Sequence, residues 1–173
     1  MSRRSALVLT VSDRVAAGTR DDASGDAIAA RLASLGFEIE RRIVSDDVPA
    51  IATAIREGAA AHPLVVTTGG TGLTPRDVTP QATGTVLDYE VPGIAEAMRA
   101  AGRVHTPLAD LSRGVVGVAG RSLVVNVPGS PKGSIESLDA VIPILDHALE
   151  TLSGPFDHDT ARAGGRRDLP SGA

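Results

Sequence analysis

The chain has 173 residues, a formal net charge of -4 and a sequence pI of about 5.5, and its length suits one ordinary domain with its own core. The acidic balance argues against a nucleic-acid-binding face, and one tyrosine, two phenylalanines and no tryptophan are too few for a base-stacking platform. The absence of cysteine excludes disulfides and thiolate chemistry, and no apolar run approaches the ~20 residues that span a bilayer. We therefore expect a cytoplasmic protein that binds neither nucleic acid nor membrane.

The first half of the chain alternates apolar runs with amphipathic segments. Short apolar or alternating runs predict three strands, at Ala6 to Val11, Phe37 to Ile43 and Leu64 to Thr68. A helix capped by Ser24 is predicted from about Gly25 to Leu35, and Asp47 is placed to cap the next helix. Strands that alternate with helices indicate an α/β fold with a mostly parallel sheet and right-handed crossovers.

The second half adds two short helices and a hairpin to this α/β pattern. Helices are predicted from about Pro80 to Leu87, with Thr79 as the cap, and from Gly93 to Ala101. Gly120 joins two apolar runs that predict an antiparallel pair of strands. The central sheet should therefore be mixed.

A long amphipathic helix closes the predicted domain. Its apolar residues recur at helical spacing from Leu138 to Leu152, Ser130 or Ser134 is placed to cap it, and Pro143 should kink it. Beyond residue 156 the chain is rich in glycine, charge and small residues, which predicts a flexible tail. The sequence thus predicts one domain over residues 1–156 and a tail over 157–173.

A glycine loop follows the third predicted strand and is a candidate ligand site. Its sequence, TTGGTG at residues 67–72, lacks side chains at three of its six positions, so backbone N–H groups can approach an anion such as phosphate. Open α/β sheets bind ligands at this end of their strands. The loop matches neither the dinucleotide fingerprint nor the P-loop, and a tight turn that needs positive φ is the structural alternative.

Polar residues also end the other predicted strands, and the ends of parallel strands share one rim of the sheet. Ser12 and Asp13 follow the first strand, Asp46 and Asp47 follow the second, and Asp77 lies in the turn after the glycine loop. Asp77 is a candidate metal ligand or polar anchor. Each aspartate has a structural alternative, because aspartates also cap helices and close turns. The four histidines form no metal-ligand set.

The order of these motifs resembles the molybdenum cofactor biosynthesis family of MogA/MoaB type. The motifs are TVSDR, SDD, TTGGTGLTPRDVTPQA, SRG and NVPGSPKG, within residues 5–152. The resemblance implies a three-layer α/β/α sandwich and a homotrimer. It also implies molybdopterin adenylyltransferase activity, in which AMP from Mg-ATP is joined to the phosphate of molybdopterin and pyrophosphate is released. The product would pass to a molybdenum insertase.

Matched position by position, this resemblance implies a set of site residues. Asp46 and Asp77 correspond to the two functional aspartates and would be catalytic and hold Mg²⁺. The predicted substrate-binding residues, on the matched motifs and on the neighbouring rim, are Ser12, Asp13, Thr68, Gly69, Gly70, Thr71, Gly72, Ser112, Arg113, Pro128, Gly129, Ser130 and Lys132. Ser130 stands where many relatives carry asparagine. Arg113 and Lys132 would stabilise developing negative charge, with solvated surface charges as the alternative.

Other functions stay open at this point. Nucleotidyl transfer needs positioning and charge neutralisation more than covalent catalysis, and the pterin phosphate itself is the nucleophile. The family resemblance also implies two alternatives, a non-catalytic pterin-binding paralogue and a scaffold module. A flavodoxin-like nucleotide-binding protein is a third.

Overall fold

The computed structural model describes residues 4–154, and the predicted tail lies outside these residues. Within that range six strands form one sheet, β1 Ser5–Val11, β2 Glu38–Val44, β3 Leu64–Thr68, β4 Tyr89–Glu90, β5 Val116–Ala119 and β6 Ser122–Val127. The α-helices are α1 Asp13–Ala16, α2 Ala23–Ser34, α3 Val48–Ala61, α4 Thr79–Gly84, α5 Pro92–Arg103 and α6 Pro131–Ser153. A 3₁₀ helix spans Pro107–Leu111.

The sheet is mixed, as predicted, with the strand order β2-β1-β3-β6-β5-β4. Strands β2, β1, β3 and β6 run parallel, whereas β5 pairs antiparallel with both β6 and β4. The alternating sequence of β2 is explained by its place at one edge of the sheet. Strands β1, β3 and β6 are buried along their whole length.

Helices cover both faces of the sheet, which confirms the three-layer α/β/α sandwich. Helices α2, α5 and α6 pack on the face that carries Ala6 and Val8, and α3 and α4 pack on the face that carries Leu7 and Leu9. Successive residues of a strand point to opposite faces, so the continuous apolar run of β1 supplies both cores. No helix between residues 4 and 154 is both long and apolar enough to cross a bilayer.

The helix caps agree only in part with the sequence-based predictions. Asp47 caps α3 as predicted, and of the two serines considered for α6 the structure selects Ser130. The prediction that Ser24 caps α2 is wrong, because the helix begins earlier and Asp22 is its cap, accepting a hydrogen bond from Gly25 N at 3.1 Å. Both residue types cap helices well, so local sequence alone does not choose between them.

Three short elements lie where the sequence predicts only connecting segments, namely α1, β4 and the 3₁₀ helix. Each is too short to show a hydrophobic period. Helix α1 starts directly after β1, where the Ser12 hydroxyl accepts a hydrogen bond from Val15 N at 3.3 Å. This cap turns the chain sharply at the rim of the sheet and presents Asp13 there.

Candidate functional site

The parallel strands end at one rim, and their loops are tied together there. The register pairs Thr68, the last residue of β3, with Thr10 near the end of β1 and with Val127 at the end of β6. The segments that begin at Ser12, Gly69 and Pro128 are therefore adjacent. The Thr68 hydroxyl donates a hydrogen bond to Pro128 O at 2.8 Å, and Gly69 N donates to Val127 O at 3.3 Å. The predicted gathering of the strand ends is therefore present.

Two clefts open on this rim, each with a volume of about 420 Å³. The apolar cleft is lined by α5, the 3₁₀ helix and the start of α6, with Ala95, Met98, Leu108, Ala109 and Leu111 among its residues. The polar cleft is lined by the starts of α1 and α2, with Ser12, Asp13, Asp22 and Asp46 among its residues. Both clefts are lined by Gly70, Asp77, Gly129 and Ser130, which we call the shared wall.

The glycine loop requires glycine for steric reasons as well as for access. Gly69 and Gly70 have φ values of 99° and 63°, which side chains rarely adopt. A Cβ atom at Gly69 would lie 2.3 Å from Val11 O, and one at Gly70 would lie 2.4 Å from Thr79 Oγ1. The tight-turn interpretation therefore holds for these two glycines. It is compatible with binding, because the missing side chains leave the loop backbone accessible from the clefts.

A chain of hydrogen bonds between buried polar groups holds the glycine loop in place. Thr79 N donates to Gly70 O at 3.0 Å, and the Thr79 hydroxyl donates to Gly69 O at 2.8 Å. The prediction that Thr79 caps α4 is therefore wrong, because its side chain anchors the glycine loop instead. The Thr83 hydroxyl donates to Thr79 O at 2.8 Å, and Asn126 Nδ2 donates to the Thr83 hydroxyl at 3.0 Å. Sequence reasoning missed Thr83 and Asn126, although a polar residue inside the buried run of β6 was the available signal.

Asp46 and Asp13 hold each other in place at the edge of the polar cleft. Asp13 N donates to Asp46 Oδ2 at 2.9 Å, and Asp46 N donates to Asp13 Oδ1 at 3.0 Å. Asp47 instead accepts a hydrogen bond from Ala50 N at 3.0 Å as the cap of α3. Of the two adjacent aspartates, Asp46 is therefore the one that lines the cleft.

Asp77 lies against the glycine loop and belongs to the shared wall. Its Oδ2 accepts a hydrogen bond from Thr74 N at 2.8 Å and would lie 2.9 Å from a Cβ atom at Gly72. Within residues 4–154, no hydrogen bond reaches Asp77 Oδ1 or Asp46 Oδ1, so both oxygens are available to a ligand. The same residues contain no group of three histidine or carboxylate side chains that could hold a metal ion. A cation here would need substrate oxygens as further ligands, as Mg²⁺ commonly does.

Comparison with known proteins identifies the family. The model of the family described as "Probable molybdopterin binding domain" matches residues 7–147. The chain belongs to this family. The molybdopterin adenylyltransferase of Helicobacter pylori strain J99 is 37% identical over 154 residues, which cover 86% of this chain and 88% of that protein. The molybdopterin adenylyltransferase of Escherichia coli K12 is 39% identical over 167 residues, with coverage of 86% and 85%.

A solved structure gives the same result for the fold. The crystal structure of the molybdopterin biosynthesis enzyme MoaB from Thermus thermophilus superposes with a TM-score of 0.81 at 50% identity. The match covers 86% of this chain and 96% of that one. Membership of the molybdopterin-binding-domain family, inferred from the MogA/MoaB motifs, is confirmed.

In this family member, most of the predicted site residues line one cleft or both. The residues that line only the polar cleft are Ser12, Asp13, Asp46, Thr68 and Gly69. Those that line only the apolar cleft are Thr71, Gly72, Ser112 and Pro128. Gly70, Asp77, Gly129 and Ser130 form the shared wall. Arg113 and Lys132 line neither cleft, and their predicted contacts with substrate stay predictions.

Arg113 holds the glycine loop in place through hydrogen bonds to backbone carbonyl oxygens. Its Nε donates to Gly72 O at 2.7 Å, its Nη2 donates to Asp77 O at 2.5 Å, and its own N–H donates to Thr71 O at 2.9 Å. The guanidinium thus bridges both ends of the segment that carries Asp77. By contrast, Lys132 is 78% exposed and its Nζ lies 3.7 Å from Glu136 Oε1.

Arg76 lowers the pKa of Asp13. Its guanidinium hydrogen-bonds Asp13 Oδ2 and, with the Asp46 backbone N–H, holds the pKa of Asp13 below its ordinary value of 3.8. A lowered carboxyl pKa contributes stability above the ordinary pKa and loses it as the pH falls through the lower folded value. Arg76→Gln should therefore raise the pKa of Asp13 toward 3.8. The substitution should also lower the free energy of unfolding at neutral pH, and this loss should disappear in acid.

Carboxyl ¹³C shifts followed by NMR through the acid range test this prediction. Asp139 is the internal control, because it pairs with Arg31 at 2.8 Å and makes no contact with Arg76. The Asp139 carboxyl resonance should be at the same position in the neutral-pH spectra of both proteins. An Asp13 titration that Arg76→Gln leaves unchanged would contradict the prediction.

Proposed function

We propose that this chain is a molybdopterin adenylyltransferase, which joins AMP from Mg-ATP to the phosphate of molybdopterin and releases pyrophosphate. The observation that carries this proposal is the pair of clefts that meet at a shared wall containing Gly70 and Asp77. Transfer between two substrates requires that their reacting groups be held together, and two adjoining clefts provide that arrangement. The names of the Helicobacter pylori and Escherichia coli relatives support the same activity.

The lining of the clefts suggests which substrate each one takes. The apolar cleft offers Met98, Leu108 and Leu111 to a flat ring, and we assign it to the pterin. The polar cleft offers carboxylates and the cations Arg14 and Arg20, and we assign it to Mg-ATP. The phosphate of molybdopterin and the phosphates of ATP would then meet at the glycine loop, where backbone N–H groups can bind them.

Residues of the shared wall and the polar cleft fit the requirements of this reaction. Asp46 and Asp77 would hold the Mg²⁺ of Mg-ATP through their Oδ1 atoms, with phosphate oxygens completing its shell. Bound there, the ion would neutralise phosphate charge. A phosphate oxygen of molybdopterin attacks the α-phosphorus of ATP while the bond to the leaving pyrophosphate breaks, so no protein nucleophile is required. Arg113 would hold the glycine loop and Asp77 in position during the transfer.

The test is AMP transfer by the purified chain supplied with molybdopterin and Mg-ATP. We expect adenylyl-molybdopterin and pyrophosphate in equal amounts, and no product when Mg²⁺ is chelated. Binding of molybdopterin without transfer would overturn the enzyme assignment and support the non-catalytic paralogue. Failure to bind molybdopterin or ATP would favour the scaffold module.

We further propose that the chain forms the homotrimer implied by its family. Val104, which follows α5, is 82% exposed, and two residues that line the apolar cleft, Leu108 and Leu111, are 67% and 49% exposed. Clustered exposed apolar groups commonly mark protein–protein contacts. Light scattering should give a mass three times that of the 17.6 kDa chain, and a monomer mass at micromolar concentration would contradict this. A cytoplasmic location and hand-over to an insertase stay predictions.

A further inference from the structure

The apolar cleft contains a carboxylate that the proposed reaction does not use. Glu136 lies near the start of α6 and lines this cleft, and its side chain is only 18% exposed. His105 Nε2 lies 3.5 Å and Lys132 Nζ lies 3.7 Å from Glu136 Oε1. No hydrogen bond from residues 4–154 reaches either carboxylate oxygen. Apart from these two ion-pair contacts of Oε1, the largely buried carboxylate has no donor among the described residues, and this is costly unless a ligand supplies one.

The charges around the apolar cleft indicate which part of a ligand Glu136 meets. The ionisable residues that line this cleft are Asp77, Arg99 and Glu136. Asp77 belongs to the shared wall and lies against the glycine loop, whereas Glu136 lies outside that wall. A phosphate beside Glu136 would be repelled. The group that reaches Glu136 is therefore not the phosphate but a part of the ligand that carries hydrogen-bond donors.

We propose that Glu136 determines specificity by accepting two hydrogen bonds from the aminopyrimidinone edge of the pterin. That edge presents a ring N–H and an exocyclic amino group side by side, and a carboxylate, which has only acceptors, matches both at once. The pairing edge of adenine presents one donor and one acceptor, so it matches a carboxylate less well. Met98 and Leu108 supply the apolar surface for the ring. This inference rests on the proposed function, since it assigns a residue to one of its substrates.

The test compares Glu136→Gln with wild type by equilibrium binding of molybdopterin and, separately, of Mg-ATP. Glutamine keeps the size of the side chain but removes the charge and one acceptor. We expect the Kd for molybdopterin to rise on the order of ten- to a hundredfold, the scale of charged hydrogen bonds. The Kd for Mg-ATP should stay unchanged, and the Tm should not fall, because the substitution removes a costly buried charge. Asp139→Asn is the matched control on the same helix, because Asp139 lines neither cleft, and it should change neither affinity.

Each outcome separates this inference from the proposed function. Unchanged or tighter molybdopterin binding by Glu136→Gln overturns the inference, the tighter result because it places the phosphate beside Glu136. An equal rise in both Kd values also overturns it, since that indicates a general disturbance of the site. If wild type transfers no AMP but Glu136→Gln weakens pterin binding, the proposed function fails and the inference stands. If Glu136→Gln does not fold, Glu136→Asp replaces it, and loss of affinity for molybdopterin alone is again expected.

Discussion

Asp77→Asn and Asp46→Asn should each lower kcat/KM for AMP transfer on the order of 10²–10³-fold, the scale seen when one charge-stabilising group is removed from an active site. Asparagine keeps an oxygen acceptor, so the hydrogen bonds from Thr74 N to residue 77 and from Asp13 N to residue 46 can persist. The substitution therefore removes negative charge with little change in shape. Because carboxylate charge attracts Mg²⁺, raising the Mg²⁺ concentration should restore part of the activity.

Asp47→Asn is the matched control for this experiment. Asp47 is adjacent to Asp46 but caps α3 through Ala50 N and lines neither cleft. Asparagine caps helices about as well as aspartate, so both activity and stability should be close to wild type. A loss in Asp47→Asn equal to that in Asp46→Asn would indicate a general charge effect. Full activity in both Asp46→Asn and Asp77→Asn would overturn the carboxylate–magnesium arrangement.

Gly69→Ala should displace the glycine loop and cause a large loss of both stability and activity. The alanine Cβ would lie 2.3 Å from Val11 O at a φ of 99°, and because the obstacle is backbone of a buried strand, the loop must move instead. An L side chain at positive φ costs roughly 1–2 kcal/mol by itself, and the collision adds to that cost. Displacing reacting groups by about 1 Å can cost 10²-fold in rate, so kcat/KM should fall by at least that order.

Gly36→Ala separates the cost of an L side chain at positive φ from the cost of the collision. Gly36 has a φ of 84°, and no neighbouring atom lies within 4 Å of its Cβ position, so this variant reports conformational strain without a collision. Urea unfolding of both variants should show the larger loss for Gly69→Ala, and AMP transfer should be affected only there. Equal losses in the free energy of unfolding, with activity retained, would show that the loop accommodates a side chain.

Local sequence was sufficient where one residue type satisfies one local requirement. The strands of the parallel core, the hairpin at Gly120 and the cap at Asp47 follow from apolar patterning and from the orphan N–H groups of helix starts. Local sequence failed where two suitable residues compete. Asp22 caps α2 in place of Ser24, and its carboxylate also meets the Thr10 hydroxyl at 2.8 Å across the strand–helix packing. That contact is a tertiary one and leaves no local pattern.

The sequence by itself determined that the strand ends meet at one rim and that a glycine loop lies there, because both follow from chain order in a parallel sheet. Only the tertiary structure decided which side chains face the clefts. Asp46 faces the polar cleft and Asp47 does not, because Asp46 exchanges hydrogen bonds with Asp13, 33 residues away. Asn126 likewise donates a hydrogen bond to Thr83, which is distant in sequence and helps to hold the glycine loop. Such contacts depend on strand register and helix packing, which no local pattern encodes.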